Sequence, residues 1–234
     1  MTNQEILAII EQAARDEATQ LDLSQKGLTT LPPEIGQLKN LVVLDLWRNQ
    51  LKALPPEIAQ LTKLDVLYLG HNQFKSWPAA ISQLSQLSKL DLRGNRLSAL
   101  PADISQLTHL SVLDVSDNRL DNLPAEIGQL KNLTRLDLRF NQLETLPPEI
   151  AQLSNLVKLE IARNQLKVLP PEIGQLVGLT MLDLYGNQLT ELPTEIQQLT
   201  KLEILNIENN LLPLPPEIIT RYNYPSEMIH YYFG

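Results

Sequence analysis

The sequence repeats itself with a period of 23 residues from Ala18 almost to its end. One column of the repeat holds leucine in all nine blocks, and a second column holds asparagine in the last eight. The pattern is LxxLxLxxNxLxxLPxEIxQLxx, and it loses one residue only in the ninth block. A repeat of this length indicates a solenoid, because each unit is too small to bury its apolar side chains without its neighbours.

Each repeat contains signals for two short elements. The LxLx half alternates apolar and polar residues, which is the period of a β-strand. The second half, as in Leu54-Pro55-Pro56-Glu57-Ile58, places Pro and Glu where a short helix would begin. Ile58 and Leu61 are three residues apart, so both are expected to face the core. Nine stacked strands would span roughly 40 Å at the spacing of a sheet.

The asparagine column runs from Asn49 to Asn210 and falls where the strand ends. A polar side chain at a buried turn must be hydrogen-bonded. A carboxamide offers two donated hydrogens and an acceptor oxygen, which suits the backbone of adjacent turns. We therefore expect a structural ladder with no chemistry of its own.

These columns resemble the leucine-rich-repeat family over residues 18 to about 218. The 23-residue length and the LPxEI segment resemble the intracellular subclass found in bacterial Roco GTPases and Ras-scaffold proteins. The resemblance implies an α/β fold, a right-handed leucine-rich-repeat solenoid (a horseshoe) with a parallel concave sheet, nine repeats and helical caps. It also implies a role in protein recognition.

Both ends depart from the repeat, which divides the chain into a capping helix (1–17), nine repeats (18–219) and a C-terminal capping segment (220–234). Thr2 and Glu5 have capping-box spacing, and residues 2–16 carry an apolar stripe at helical spacing. A membrane-surface helix is the weaker alternative, because its polar face is mainly acidic. The tail predicts a helix from Pro225 or Ser226, and it resembles the segment that joins repeats to the GTPase domain in Roco proteins.

Several classes of function lack their usual motifs. The chain has no Cys and three isolated His, and it contains no GxxxxGK[ST], HExxH, GxSxG or GxGxxG pattern. The net charge of −8 argues against a nucleic-acid partner. No stretch is apolar enough to span a bilayer, and no signal peptide is recognisable. We therefore expect a cytoplasmic protein that is not an enzyme and has no cofactor, no metal and no membrane or nucleic-acid partner.

Outward strand positions are expected to line the concave face. The fifth position of the repeat is acidic in seven of nine repeats, as at Asp91, Asp114 and Asp137. Neighbouring columns supply basic residues, which include Arg93, Arg135 and Arg139. The pattern favours either a self-compensating charged lattice or a set of residues that fixes the register of a partner. Basic neighbours disfavour the remaining alternative, a metal site.

Aromatic residues in outward columns are the best candidates for binding anchors. Trp47 and Tyr68 fall on adjacent strands beside Val43 and Val66, and a second patch is expected at Met181, Tyr185 and Ile204. Phe74 and Trp77, by contrast, replace inward leucines and are expected in the core. The residues predicted to contact a partner are Val43, Trp47, Arg48, Val66, Tyr68, Asp91, Arg93, Asp114, Arg135, Asp137, Arg139, Phe140, Met181 and Tyr185.

The sequence thus favours a non-catalytic scaffold that binds a partner protein or peptide on its concave face. Within this scheme Trp47 and Tyr68 are the anchors, and the charged residues between the two patches set specificity. An alternative is a regulatory segment of a larger Roco-type protein, acting in cis on a GTPase domain. A third possibility, a secreted adhesive repeat protein, is disfavoured because no signal peptide is recognisable.

Overall fold

A computed structural model describes residues 2–234 and contains one parallel sheet of nine short strands in sequence order. Adjacent strands are offset by one repeat, so that Leu44 lies opposite Leu67 and Val43 opposite Val66. This arrangement confirms the predicted leucine-rich-repeat solenoid. The strands are Gln20–Asp22 (β1), Val43–Asp45 (β2), Val66–Tyr68 (β3), Lys89–Asp91 (β4), Val112–Asp114 (β5), Arg135–Asp137 (β6), Lys158–Glu160 (β7), Met181–Asp183 (β8) and Ile204–Asn206 (β9).

The second half of each of the first eight repeats forms a 3₁₀ helix of five residues. In the second repeat, the N–H of Ile58 donates to the carbonyl of Pro55, three residues back, at 3.1 Å. Pro56 begins this helix, where its missing N–H costs nothing. These helices are Pro33–Gln37 (η1), Pro56–Gln60 (η2), Ala79–Gln83 (η3), Ala102–Gln106 (η4), Ala125–Gln129 (η5), Pro148–Gln152 (η6), Pro171–Gln175 (η7) and Thr194–Gln198 (η8).

The core lies between the sheet and the 3₁₀ helices and is built from the leucine columns. Leu44, Ile58 and Leu61 are fully buried, as the spacing predicted. Phe74 is fully buried in the place of a leucine. Trp77 is partly buried against the same core, and its indole N–H donates to the buried Ser82 hydroxyl at 3.0 Å. Both inward aromatic predictions are confirmed.

The asparagine ladder joins each turn to the one before it. The amide nitrogen of Asn72 donates to the carbonyls of Leu46 at 2.9 Å and Leu69 at 3.0 Å, and its oxygen accepts from the N–H of Leu51 at 2.9 Å. Asn118 and Asn164 repeat the arrangement further along the solenoid. The ladder satisfies buried backbone groups that the turn would otherwise leave unpaired, so its predicted structural role is confirmed.

Helices cover both ends of the repeat stack. Helix α1 spans Asn3–Arg15 and begins with the predicted capping box, in which the Thr2 N–H donates to Glu5 at 2.7 Å and the Glu5 N–H donates to Thr2 at 3.3 Å. Its Ile6 and Ile10 are buried against the first repeat. Helices α2 (Pro216–Ile219) and α3 (Pro225–Phe233) follow the ninth repeat. Met228 of α3 is buried, and the Tyr232 hydroxyl accepts from the N–H of Leu192 at 3.1 Å.

Candidate protein-binding surface

The predicted acidic column is first of all a structural device at the ends of the strands. In seven repeats an Asp or Asn at the fifth position accepts a hydrogen bond from the N–H two residues later. Asp45, for example, accepts from Trp47 at 2.8 Å, and Asp91 accepts from Arg93 at 2.9 Å. Short carboxylate and amide side chains favour this local bond because they reach their own backbone two residues on. The members that make it are Asp22, Asp45, Asp91, Asp114, Asp137, Asp183 and Asn206.

The eighth position of every repeat has a left-handed backbone conformation. Its φ angle is 52° at Arg48 and 55° at Phe140, whereas glycine occupies the same position at Gly94 and Gly186. Left-handed φ is unfavourable for residues with a Cβ atom, and bulky side chains are rare there. The chain therefore accepts backbone strain wherever the eighth position carries a large side chain. The sequence carried only a weak signal of this conformation, namely the two glycines and Asn209 in that column.

Four charged side chains form a compact group at strands β6 and β7, which we call the central ionic cluster: Arg135, Asp137, Arg139 and Glu160. Arg139 lies two residues beyond the end of β6, and the other three lie on the strands. The two arginines both bind Asp137, at 2.6 Å from Arg139 and 3.4 Å from Arg135. Arg135 also binds Glu160 at 2.7 Å. The hydrogen bond to Asp137 raises the pKa of Arg139. The predicted charged lattice is thus present in the middle of the concave face.

One predicted contact residue of this cluster needs correction. Asp137 is 0% exposed and its carboxylate is occupied by Arg135, Arg139 and the Arg139 N–H. A partner cannot touch it directly, because the two guanidinium groups cover it. The side chains of Arg135 and Arg139 remain 43% and 35% exposed. The accessible surface at this point is therefore formed by the side chains of the two arginines.

Burial changes the acidity of the column unevenly. Burial raises the pKa of Asp91 and Asp183, and the hydrogen bonds from the N–H groups of Arg93 and Tyr185 oppose this shift only in part. Burial raises the pKa of the half-buried Asp45 in the same way. At the exposed Asp22 of the first repeat the pKa shifts in the opposite direction, because hydrogen bonds from Ser24 lower it by more than burial raises it. The acidic ladder is thus not a uniform row of exposed charges.

A second group of side chains lies near the N-terminal end of the sheet, and we call it the N-terminal aromatic cluster: Val43, Trp47, Val66 and Tyr68. Val43 and Val66 lie opposite each other in neighbouring strands, and Asp45 lies opposite Tyr68. All four members of the cluster are half-buried. The structure thus brings these predicted residues together on two adjacent repeats of the concave face, three of them on strands and Trp47 two residues beyond β2.

Trp47 is held in place by its neighbours in this cluster. The Arg48 guanidinium lies 4.3 Å from the centre of its ring, and His71 meets the ring edge-on at 5.6 Å. A Cβ atom on Gly70 would lie 2.9 Å from Trp47, so the glycine makes room for the indole. The indole N–H is buried and finds no acceptor among residues 2–234.

Tyr68 takes the place of an aspartate in the acidic column, and Lys89 from the next strand lies over its ring at 5.0 Å. A cation above an aromatic face is stabilised by the ring quadrupole, most strongly where water is partly excluded. Both anchor rings of the cluster are therefore paired with a cation. Neither Lys89 nor His71 was among the predicted contact residues, because their approach to the rings depends on side-chain conformation.

The third group is a stack of side chains just beyond the ends of strands β6, β7 and β8 that we call the C-terminal stack: Phe140, Arg163 and Tyr185. The Arg163 guanidinium lies between the two rings, 5.5 Å from Phe140 and 5.1 Å from Tyr185. Phe140 is 52% exposed. The predicted Met181 is half-buried on β8, opposite Ile204 of β9. The sequence predicted the two rings but not the arginine that joins them.

The remaining predicted residues lie between these groups. Asp91 is buried and binds Arg93 weakly, at 3.6 Å. Asp114 is half-buried and accepts the Ser116 hydroxyl at 2.6 Å. In the part of the chain that the structure describes, no group of three or more His, Asp or Glu is arranged to hold a metal ion. No helix among those residues is long and apolar enough to cross a membrane.

Comparisons with known protein families agree with the repeat pattern. A family model for a leucine-rich-repeat region matches residues 20–93 and 102–168, and a related leucine-rich-repeat model matches residues 154–212. A search of functionally curated proteins gives no significant match.

Solved structures with the same architecture come from bacteria and plants. A leucine-rich-repeat protein of Leptospira interrogans is 33% identical with a TM-score of 0.64, and the match covers 93% of this chain and 65% of that one. The ectodomain of the Arabidopsis thaliana receptor kinase GASSHO1/SCHENGEN3, in complex with CASPARIAN STRIP INTEGRITY FACTOR 2, is 27% identical with a TM-score of 0.73. The plant peptide hormone receptor RGFR1, in complex with RGF2, is 32% identical with a TM-score of 0.69.

The chain is shorter than these relatives. It spans 65% of the length of the Leptospira protein, and only 28% and 30% of the two plant receptors, although the matches cover 84% and 78% of this chain. Their shared fold is the stack of parallel strands that the nine repeats form here. The matches of the family models to most of the repeats show that the chain belongs to the leucine-rich-repeat family.

Proposed function

We propose that this protein is a non-catalytic scaffold that binds a partner protein or peptide on its concave face. The observation that carries the proposal is the N-terminal aromatic cluster, where two half-buried rings occupy outward columns of adjacent repeats. Rings in outward columns do not fill the core, and aromatic residues are the usual anchors of protein interfaces. The peptide-bound receptors among the structural relatives support this type of function.

The cluster has the features of an anchor site that is formed before a partner arrives. Arg48 and His71 restrain Trp47, and Lys89 covers one side of Tyr68. Restrained side chains lose less conformational freedom on binding, which favours affinity. The exposed guanidinium groups of Arg93, Arg135 and Arg139 would then fix the register of the partner through charge.

The experiment is a quantitative pull-down that compares the wild type with Trp47→Ala/Tyr68→Ala. We expect at least a tenfold loss of specific partners, because truncation of an anchor side chain commonly costs about 2 kcal/mol or more of binding free energy. A matched control is Val168→Ala/Val177→Ala, since both valines are exposed and lie outside the sheet. Equal recovery of every partner by the anchor variant and the control would overturn the assignment.

A second candidate function is regulation in cis of a GTPase domain in a larger Roco-type protein of the intracellular LPxEI subclass. The helices α2 and α3 that follow the ninth repeat favour it, since the Roco resemblance implies a joining segment at this place. The natural reading frame tests it. A downstream GxxxxGK[ST] motif would support this function, and a stop codon soon after Gly234 would remove it. Either function is proposed for the cytoplasm.

A further inference from the structure

The seventh column of the concave face contains a gap between two arginines. Arg93, Ser116 and Arg139 occupy this position in three successive repeats, so a small buried side chain separates two long ones. The result is a depression of about 370 Å³ lined by Arg93, Ser116, Asp117, Arg139 and Phe140. The side chain at its floor, Ser116, is uncharged, and its hydroxyl donates to Asp114 at 2.6 Å.

The two arginines that flank the depression differ in how well they are paired. Arg139 makes two side-chain hydrogen bonds to Asp137, at 2.6 and 2.9 Å. Arg93 has a single ion pair, with Asp91 at 3.6 Å, and its Nε finds no acceptor in residues 2–234. Its side chain is nevertheless 43% exposed, while Asp91 beneath it is buried. Arg93 therefore presents positive charge to an incoming group through the exposed part of its side chain, whereas its unpaired Nε is itself buried.

Phe140 forms the opposite wall and is in an unfavourable conformation. It combines a φ of 55° with 52% exposure, in a position that Gly94 and Gly186 occupy in other repeats. The exposed ring does not help the fold, because it lies outside the core and a side chain with a Cβ atom is unfavourable at this φ. The left-handed conformation itself belongs to the fold, because the eighth position adopts it in every repeat. What the fold does not require is a large apolar ring exposed at this place, and such a ring indicates a contact with a partner.

Building on the proposed concave-face binding, we infer that the depression receives an acidic side chain at Arg93 and an apolar side chain at Phe140, both from one extended segment of the partner. Arg93 and Phe140 are two strands apart, which is roughly 10 Å at the spacing of a sheet. A polyproline-II segment places residues i and i+3 on one side, about 9.3 Å apart. The exposed Asp117 between them disfavours a second acidic side chain at the intervening positions.

The direct test is an NMR titration of the ¹⁵N-labelled protein with four blocked tetrapeptides: Glu-Pro-Pro-Phe, Gln-Pro-Pro-Phe, Lys-Pro-Pro-Phe and Glu-Pro-Pro-Ala. We expect saturable shifts of the Ser116, Asp117 and Phe140 amides with the first peptide. The Gln and Ala peptides should bind at least fivefold more weakly, and the Lys peptide should give no saturable shift. Equal affinity for the Glu and Gln peptides, or shifts that avoid these amides, would overturn the inference.

Two variants make the test specific. Arg93→Gln should remove the preference for Glu over Gln, and Phe140→Gly should remove the preference for Phe over Ala. Phe140→Gly introduces the residue that two other repeats already use there, so the fold is expected to persist. The matched control is Arg119→Gln, because Arg119 is exposed and lies outside the lining of the depression.

The outcome separates this inference from the proposed function. If Trp47→Ala/Tyr68→Ala loses the partner while Arg93→Gln and Phe140→Gly retain it with unchanged peptide preferences, the inference fails and concave-face binding stands. If the peptides discriminate as expected while Trp47→Ala/Tyr68→Ala retains every partner, the anchor assignment fails and the depression stands.

Discussion

The N-terminal aromatic cluster and the central ionic cluster lie on the same face of the same sheet, yet they relate to the fold in different ways. In the central ionic cluster the carboxylate of Asp137 is wholly buried and bound by two arginines. In the N-terminal aromatic cluster Trp47 and Tyr68 remain half-buried, with outward-facing rings. The charged groups of the central ionic cluster thus pair with one another, whereas the N-terminal aromatic cluster leaves apolar surface accessible to solvent.

This difference shows that an outward column is not by itself a binding column. Polar side chains that point away from the core can form all their hydrogen bonds and ion pairs with neighbouring side chains, as Asp137 does with Arg135 and Arg139. An outward aromatic ring has few such partners on a sheet surface, and cations such as Arg48 and Lys89 cover only part of it. We therefore propose the outward aromatic rings, rather than the charged side chains, as the anchors of a partner on this face.

The largest expected effect on stability comes from Asp137→Ala. The substitution leaves Arg135 and Arg139 without their shared buried carboxylate, and removal of one partner of a buried pair commonly costs about 3 kcal/mol. We expect a loss of roughly 2–3 kcal/mol in the free energy of unfolding, measured by urea denaturation, because the arginines can partly turn to solvent. Asp114→Ala is the control, with an expected loss of about 1 kcal/mol. Equal losses would show that the cluster contributes no more than the two hydrogen bonds that Asp114 accepts from Ser116.

Substitutions in the N-terminal aromatic cluster should affect partner binding more than stability. For Trp47→Ala/Tyr68→Ala we expect a loss of about 1–2 kcal/mol in unfolding free energy, less than for fully buried rings, because both are half-buried. Partner binding should fall by more than tenfold. A thermal melt by circular dichroism, run beside the pull-down, separates the two effects. A loss of binding that only parallels unfolding would remove the distinction between the clusters.

Titration behaviour should also differ along the acidic column. Burial raises the pKa of Asp91 and Asp183 above 3.8, so the folded protein holds these protons more tightly than the unfolded chain does. Their contribution therefore favours folding below pH 3.8, and it is lost as the pH rises through the raised values. In Asp91→Asn/Asp183→Asn the strand-end hydrogen bond is retained, as Asn206 retains it with the N–H of Glu208 at 3.2 Å.

We therefore expect this double variant to gain on the wild type as the pH rises from about 4 to about 7. The gain should reach about 1 kcal/mol at most, because partial exposure to solvent screens the charges. Urea denaturation at several pH values measures it, and Asp22→Asn is the control with the opposite sign, since hydrogen bonds lower the pKa of Asp22. A gap between double variant and wild type that does not change with pH would contradict this account of the column.

The smallest effect is expected at the C-terminal stack. Phe140→Gly relieves the left-handed φ but makes the unfolded chain more flexible and removes the contact with Arg163. These contributions nearly cancel, so we expect a change of less than about 1 kcal/mol in unfolding free energy. Phe140→Asn should behave similarly, because Asn209 already occupies the equivalent position of the ninth repeat. A loss above about 2 kcal/mol would show that the fold needs the ring, and the functional interpretation of its exposure would be withdrawn.

The periodic part of the structure could be predicted from the sequence because the repeat fixes the direction of each side chain. The leucine columns, the asparagine ladder, the inward Phe74 and the capping box all follow from spacing alone. The interactions within the concave face could not be predicted in this way. Whether Arg139 folds back onto Asp137, or Arg163 inserts between two rings, depends on side-chain conformations that the repeat does not specify.

The strand-end hydrogen bonds do have a signal in the sequence. Seven of the nine strands end in Asp or Asn, and Glu appears only at Glu160, which indicates a short local bond rather than a general need for negative charge. The left-handed backbone conformation at the eighth position has a weaker signal, because Arg48, His71 and Phe140 occupy that position as well as glycine. Large side chains at that position hide the backbone requirement.

The most direct test of the central claim is the parallel pull-down with three proteins: the wild type, Trp47→Ala/Tyr68→Ala, and the outer-surface control Val168→Ala/Val177→Ala, all shown to be folded at the assay temperature. Recovery of specific partners should be the same for the wild type and the control, and at least tenfold lower for the anchor variant. Undiminished recovery by the folded anchor variant would contradict the claim that the concave aromatic cluster is where this protein binds.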